Sequence, residues 1–250
     1  MNGRELPLEI ALELQNVGLR VDSRMIFRDL CFQLRQGESC LIIGASGSGK
    51  SLFLKICAGL FLPTEGTVRI AGMDPASASA QEIEALGRRT GFVFQDSALI
   101  SNMAVYDNVA LPLRYHTGWS EERIRERVEE KMAFFAVDRS LDASIPAQLS
   151  GEMRKRTALA RALVMDPDLL LLDHPADGLG PEAQHQIMGI LQDYQRKTGV
   201  TILQASSEWP LPSPWMERVA HLQRGRIAAE GSGEKMHHYF QGLKESAFHS

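Results

Sequence analysis

The chain has 250 residues, 44% hydrophobic and 23% charged, which is close to a globular average and unlike disordered, collagen-like or coiled-coil sequences. Lys+Arg 27 against Asp+Glu 31 gives a formal charge of -4, so no general basic field marks nucleic acid as a partner. No apolar run approaches the roughly 18 residues of a membrane span, and the opening MNGRELPLEI lacks a basic stretch followed by an apolar one. These features predict a folded protein that neither crosses a bilayer nor carries a secretion signal.

Cys31, Cys40 and Cys57 form no C-x-x-C pair, which points to a reduced, cytosolic compartment. The histidines lack metal-ligand spacing, and His237-His238 reads as surface. The tight basic cluster Arg154-Lys155-Arg156 reads as the solvated face of a helix.

In chain order, residues 12–21 and 30–34 alternate apolar and polar side chains, the period of strands. After a turn at Gly37-Glu38, the apolar run 40–43 is too short for a buried helix and ends in glycine; it reads as a strand covered on both faces. A glycine-rich segment follows, then a helix from Lys50 through Gly59 and a strand at 67–71 bracketed by Pro63, Gly66 and Gly72. Strand, glycine loop, helix, strand is a βαβ pattern. A strand is predicted at 90–94, and Ile124, Val128, Met132 and Phe135 recur at helical spacing within a helical, polar-faced region 97–148. A helix from Ser150 to about Met165 is broken by Asp166-Pro167, and the buried strand 169–172 ends in Asp173. The helix after Pro181 puts Ala183, Ile187, Ile190, Leu191 and Tyr194 on one face; strands follow at 201–205, 219–223 and 226–229. Met236, Tyr239, Phe240 and Leu243 form a last helical stripe, suited either to core packing or to docking.

Gly44-Ala45-Ser46-Gly47-Ser48-Gly49-Lys50-Ser51 satisfies G-x-x-x-x-G-K-[ST], directly after a predicted strand and opening a predicted helix. Glycines let successive amides turn inward around phosphate oxygens, and the helix end adds partial positive charge. Lys50 would reach the outer phosphates and the Ser51 hydroxyl would join a Mg²⁺ shell. The strand ending in Asp173 offers a carboxylate to hold that ion through water. No N-K-x-D segment favours guanine.

With these residues in view, the whole chain resembles the ATP-binding subunits of ABC transporters. Gln95, in Phe92-Val93-Phe94-Gln95, looks like the Q-loop; Leu149-Ser150-Gly151-Glu152-Met153 looks like the signature; Asp173 closes a Walker B strand. Within the family, Ala98-Leu99, Val105, the run from Asp107 through Arg114, and Met153-Arg154-Lys155-Arg156 are most similar to the ATPase of the Mla phospholipid transporters, which work with MCE-type proteins. The resemblance implies an α/β P-loop NTPase fold: a RecA-like core with an antiparallel β subdomain, plus an α-helical subdomain carrying the signature. One ABC domain would span 1–250, with 1–96 and 168–231 as core, 97–167 as helical subdomain and 232–250 as a C-terminal helix or tail. It implies ATP and Mg²⁺ as cofactors, with Ser51, Gln95 and Asp173 around the ion. It implies a dimer in which the neighbour's Ser150, Gly151 and Glu152 meet the triphosphate. Implied partners are a membrane permease, a second ATP-binding subunit, and MCE-domain and STAS-domain proteins, on the cytosolic face of a membrane.

Several positions depart from the family. His174 stands where a Glu usually activates water; losing that base costs about 10² to 10⁴ in rate, unless the imidazole itself serves as the base from its different position. Ser207 stands at the switch histidine, Gly180 at the D-loop Asp, and Val21 where an aromatic ring would stack on adenine. Glu152 replaces the second signature glycine. His174 and Ser207 affect this chain's own site, whereas Glu152 and Gly180 would act on a neighbour's. The expected function is therefore an asymmetrically paired transporter subunit or an ATP-gripping one with low turnover, with its second ATP-binding subunit either a copy of this chain or a different one. A weak regulatory or scaffolding subunit of a heteromeric assembly is the alternative.

Overall fold

The computed structural model describes residues 9–207 and 215–247; the expectation about the opening residues lies largely outside them. The chain divides into two compact units, Met1–Ala78 with Thr201–Ser250, and Ser79–Val200.

In the first unit, β1 (Ile10–Val21) and β2 (Arg24–Arg35) form an antiparallel hairpin, and β4 (Glu65–Ile70) flanks β1 on its other edge. Leu12 and Leu14 are buried as the alternation predicts, but a bulge around Asn16, at φ 50, shifts the phase by one residue, so that Val17 and Leu19 are the next buried pair. The hairpin closes at Asp22 and Ser23, with φ 45 and 66, a handedness that matches strand twist. β3 (Ser39–Ile43) lies parallel to both β7 (Thr201–Ser206) and β8 (Arg218–Gln223), and all five of its residues are buried. β9 (Arg226–Gly231) runs antiparallel to β8. α1 (Lys50–Cys57) follows β3. α7 (Gly233–Ala247) settles against β8, where the His221 ring lies 5.1 Å from Phe240 and its Nδ1 3.2 Å from the Tyr239 hydroxyl. Met236 is buried in the core, Tyr239 and Phe240 are half-buried against His221, and Leu243 is exposed.

In the second unit, β5 (Thr90–Val93) pairs in parallel with β6 (Leu169–Asp173). α2 (Ala80–Arg89) precedes β5 and was not foreseen, although Ser79 and Glu82 form a reciprocal capping box at its start. Its apolar residues Ala80, Ile83 and Leu86 make a stripe of only three, of which Leu86 alone is buried. α3 (Val105–His116) and α4 (Glu121–Phe134) pack with α5 (Gly151–Leu163), and α6 (Pro181–Thr198) follows β6. α5 also packs on β5, so neighbours surround it. This corrects the reading of the basic cluster: Arg154 is exposed, but Lys155 and Arg156 are 6% and 3% exposed. A charge run marks a solvated face only when no carbonyls or side chains wait to receive the cations. Among the described residues, no helix is long and apolar enough to cross a membrane.

Candidate functional site

In the first unit, the phosphate loop is fixed at both ends. Ile43 pairs with Ser206 on one side and His221 on the other. At Gly44 a Cβ would come within 2.6 Å of the Leu222 carbonyl oxygen, so only glycine fits. Gly47 and Gly49 are left-handed at φ 76 and 98, which raises Ala45, Ser46 and Gly47 into an exposed arch. Phe53 of α1 meets Phe27 and Phe32 edge-on, with centroids 6.5 and 5.3 Å apart. Each such pair contributes about 0.5–1.5 kcal/mol and anchors the helix that carries Lys50 and Ser51. The first turn of α1 has no acidic residue and no side-chain cap, so its partial positive charge is uncompensated.

The Lys50 side chain is buried under the arch, where Nζ donates to the carbonyls of Gly44 at 2.8 Å and Ala45 at 3.0 Å. The Ser48 hydroxyl is buried without a hydrogen-bond partner. An uncapped helix end, exposed arch amides, a tethered ammonium and an unsatisfied hydroxyl fit a phosphate chain; a plain turn has no use for a buried cation. Ser51 is half-buried on the first turn of α1. Val21 is half-buried at the end of β1, and Ser207 is exposed immediately after β7.

In the second unit, β6 delivers Asp173 and then His174 into the interior, 3% and 4% exposed. His174 is left-handed at φ 51, which costs a side-chain-bearing residue of order 1–3 kcal/mol. This turn brings the ring back over the preceding residue: Nδ1 lies 2.8 Å from Asp173 Oδ1. Nε2 lies 3.9 Å from an Asp177 carboxylate oxygen. Lys155 Nζ donates to the carbonyls of His174 at 3.0 Å and Gln95 at 2.6 Å. Burial pushes the Lys155 ammonium below its usual range, opposed by the charges of Asp177, Asp173 and Asp96. Arg161, also from α5, donates to the carbonyls of Ser97 and Ala98, both left-handed at φ 67 and 42. One helix therefore clamps the segment after Gln95 and the residue after Asp173. Sequence reasoning missed Lys155 and the Asp173–His174 pair, since neither residue types nor spacing report a left-handed turn. Among the described residues, no group of three or more His, Cys, Asp or Glu could hold a metal, so an ion here would draw most of its oxygens from phosphate and water.

The start of α5 has a different character. Ser150 caps it, its hydroxyl accepting from the Met153 amide at 3.1 Å, and Gly151 is exposed. The Glu152 carboxylate folds back onto Arg156 at 2.8 Å, and that guanidinium also reaches the Phe135 carbonyl and Gln186. Its charge is thereby largely compensated. Gly180 caps α6 at φ -65, an angle any residue adopts, so the backbone does not require glycine there.

A buried parallel strand opening into this loop and helix, with a mixed sheet and helices around it, defines an α/β P-loop NTPase of the ATP-binding-cassette type. Residues 27–177 match the family model described as ABC transporter. The chain belongs to the ABC transporter family and carries its ATP-binding domain. A dimeric ATP-binding cassette solved in a post-hydrolysis state with ADP and phosphate superimposes with a TM-score of 0.82 at 29% identity, over 88% of this chain and 98% of that one. The probable ribonucleotide transport ATP-binding protein mkl of Mycobacterium leprae is 37% identical over 79% of this chain; the chain spans only 57% of that relative's length. The intermembrane phospholipid transport system ATP-binding protein MlaF of Haemophilus influenzae is 31% identical over 90% of this chain and 85% of its own length.

Proposed function

We propose that this chain is the nucleotide-binding subunit of a lipid transporter of the Mla type, which grips ATP firmly and hydrolyses it slowly at its own site. Residues 44–51 would hold the triphosphate, with Val21 a weak neighbour for adenine, and Ser51, Gln95 and Asp173 would hold Mg²⁺. When bound, the magnesium triphosphate supplies the charge that joins this loop to the Ser150–Gly151–Glu152 end of a neighbour's α5. The observation that carries slow turnover is His174, whose ring is tied to Asp173 where a carboxylate would otherwise activate water. Ser207 offers the switch position a hydroxyl in place of an imidazole.

The lipid reading is supported by the match with the phospholipid-transport relative over 90% of this chain and 85% of that protein. A groove of about 340 Å³ in the second unit, lined by Phe92, Phe94, Leu111 and Pro112 together with Arg88 and Arg161, would take a permease segment that carries both apolar and acidic side chains. MCE-domain and STAS-domain partners, and a position on the cytosolic face of a membrane, belong to the same reading. His174 and Ser207 weaken the chain's own site while Glu152 and Gly180 act on a neighbour's, which favours an intact second ATP-binding subunit as partner.

The test is ATP turnover by the purified complex carrying His174→Glu, and separately Lys50→Ala, with subunits identified by mass. The restored carboxylate should raise turnover at least about tenfold, toward the 10²–10⁴ of a placed base. Brisk hydrolysis by two wild-type copies of this chain would refute the reading. Transport indifferent to Lys50→Ala would favour the scaffolding alternative.

A further inference from the structure

We propose that the groove between the start of β2 and the β8–β9 hairpin takes an extended peptide segment of a partner protein, one that alternates acidic and apolar side chains. The groove lies wholly within the first unit and encloses about 480 Å³. Met25, Ile26 and Ile227 make its apolar part, and Arg28, Arg224 and Arg226 supply its cations. None of these residues belongs to the phosphate loop, so the proposal stands apart from the nucleotide reading.

The walls are the outer strands of two different sheets. β2 ends the order β2-β1-β4, and β9 ends the six-stranded order after β8, so each keeps one row of backbone groups outside its ladder. Such a row pairs readily with another extended chain. The two edges are fastened at a corner: the Arg28 amide donates to the Gly225 carbonyl at 3.3 Å, and Arg226 Nε donates to the Arg28 carbonyl at 3.1 Å. Arg224 and Gly225 are left-handed at φ 51 and 75, which sets a tight hairpin turn. A Cβ at Gly225 would come within 2.3 Å of the Ile26 carbonyl oxygen, so the turn is pressed against β2 and the groove is built before a ligand arrives.

The charge of the groove opposes that of the molecule, whose formal charge is -4. Asp29 answers Arg226 at 2.8 Å. Among the described residues, the guanidinium groups of Arg28 and Arg224 make no hydrogen bond or ion pair, and both residues are exposed. A guanidinium fork receives a carboxylate through two parallel hydrogen bonds. In an extended chain successive side chains point to opposite faces. Apolar side chains would therefore enter the groove while carboxylates stay at its rim with Arg28 and Arg224. An anionic membrane would meet the same charges, but the open strand edges offer hydrogen bonds that a peptide backbone is made to fill.

The experiment measures fluorescence anisotropy of a labelled Glu-Leu-Glu-Leu-Glu-Leu peptide with the nucleotide-free full chain at low salt. Wild type should bind it with a Kd below about 100 µM, as a weak and transient partner does, and at least about fivefold more tightly than a Lys-Leu-Lys-Leu-Lys-Leu peptide. Arg28→Gln combined with Arg224→Asn should weaken binding about fivefold or more; asparagine tolerates the left-handed angle, so the turn is kept. A Kd at or above about 100 µM, a preference below about fivefold, or a smaller loss in the double variant overturns the proposal. If the double variant does not fold, the wild-type Kd and preference decide. Phosphatidylserine vesicles that bind wild type but not the double variant, with the peptide unbound, would assign the groove to a membrane and overturn it. Self-association lost in the double variant, again with the peptide unbound, would assign it to a second copy and overturn it too.

Discussion

The phosphate loop and the Asp173–His174 end are built on opposite plans. The loop meets every defined position of its motif; its left-handed glycines and buried Lys50 leave an exposed arch open to a ligand. At the other end the residues are turned inward, and Asp173, His174, Lys155 and Gln95 satisfy one another. A site whose polar groups face outward is poised to bind, whereas one whose polar groups are mutually satisfied is poised to hold its own fold. Substitutions at the loop should therefore move binding more than stability, and substitutions at the other end should do the reverse.

Lys50→Ala should have the largest effect. A charge-assisted hydrogen bond is worth about 1.5–3 kcal/mol, so affinity for a triphosphate should fall about 10–100-fold. The melting temperature should fall by only a few degrees, because the buried Gly44 carbonyl loses this donor while a desolvated cation is relieved. Titration with a fluorescent nucleotide beside a thermal melt checks both halves; a large fall in melting temperature with affinity intact would break the contrast. Lys155→Met should behave oppositely. It leaves the carbonyls of Gln95 and His174 without their donor, a loss of about 2 kcal/mol after the relief of a desolvated cation is counted. For a chain of this size, that lowers the melting temperature by several degrees, about 2–4 per kcal/mol.

The same contrast explains what could be read without coordinates. The strand–loop–helix around Lys50 was legible because each residue's role is local: a backbone angle, an amide, a charge one turn into a helix. The strand ending in Asp173 was legible from its leucines. The departures at His174, Ser207 and Glu152 stood out against the family pattern, but what they touch did not. Arg156 and Lys155 looked like solvated charges because a sequence shows cations without the carbonyls that receive them, here from Phe135, Gln95 and His174. α2 escaped notice because it is only 10 residues long with a stripe of Ala80, Ile83 and Leu86, even though Ser79-Ala80-Gln81-Glu82 spells its cap.

Two smaller effects sharpen the contrast. A Cβ at Gly47 would meet nothing within 4 Å, so Gly47→Ala should cost only the left-handed backbone, about 1–2 kcal/mol. Because that strain falls on the arch, nucleotide affinity should drop as the alanine pulls the loop toward ordinary angles. Unfolding in urea and nucleotide titration together separate the strain from the loss of grip.

The smallest expected effect tests the start of β6. Asp166 is bound by Lys131 and Arg127 from α4 and by the Tyr194 hydroxyl from α6, so the strand that ends at Asp173 is also tied where it begins. Burial alone would raise the Asp166 carboxyl, but Lys131 and Arg127 prevail and hold it below the ordinary carboxylate range. A lowered folded value means the unfolded chain binds the proton more readily, so stability from this group is complete above about pH 4. It drains away as pH falls through the lowered folded value. With the Asp166 side chain 56% exposed, solvent screening limits the contribution to about 1 kcal/mol or less. Urea unfolding of wild type and Asp166→Asn should therefore differ at pH 6 and converge toward pH 3. A gap that stayed constant across that range would assign the difference to packing of the asparagine and not to the charge.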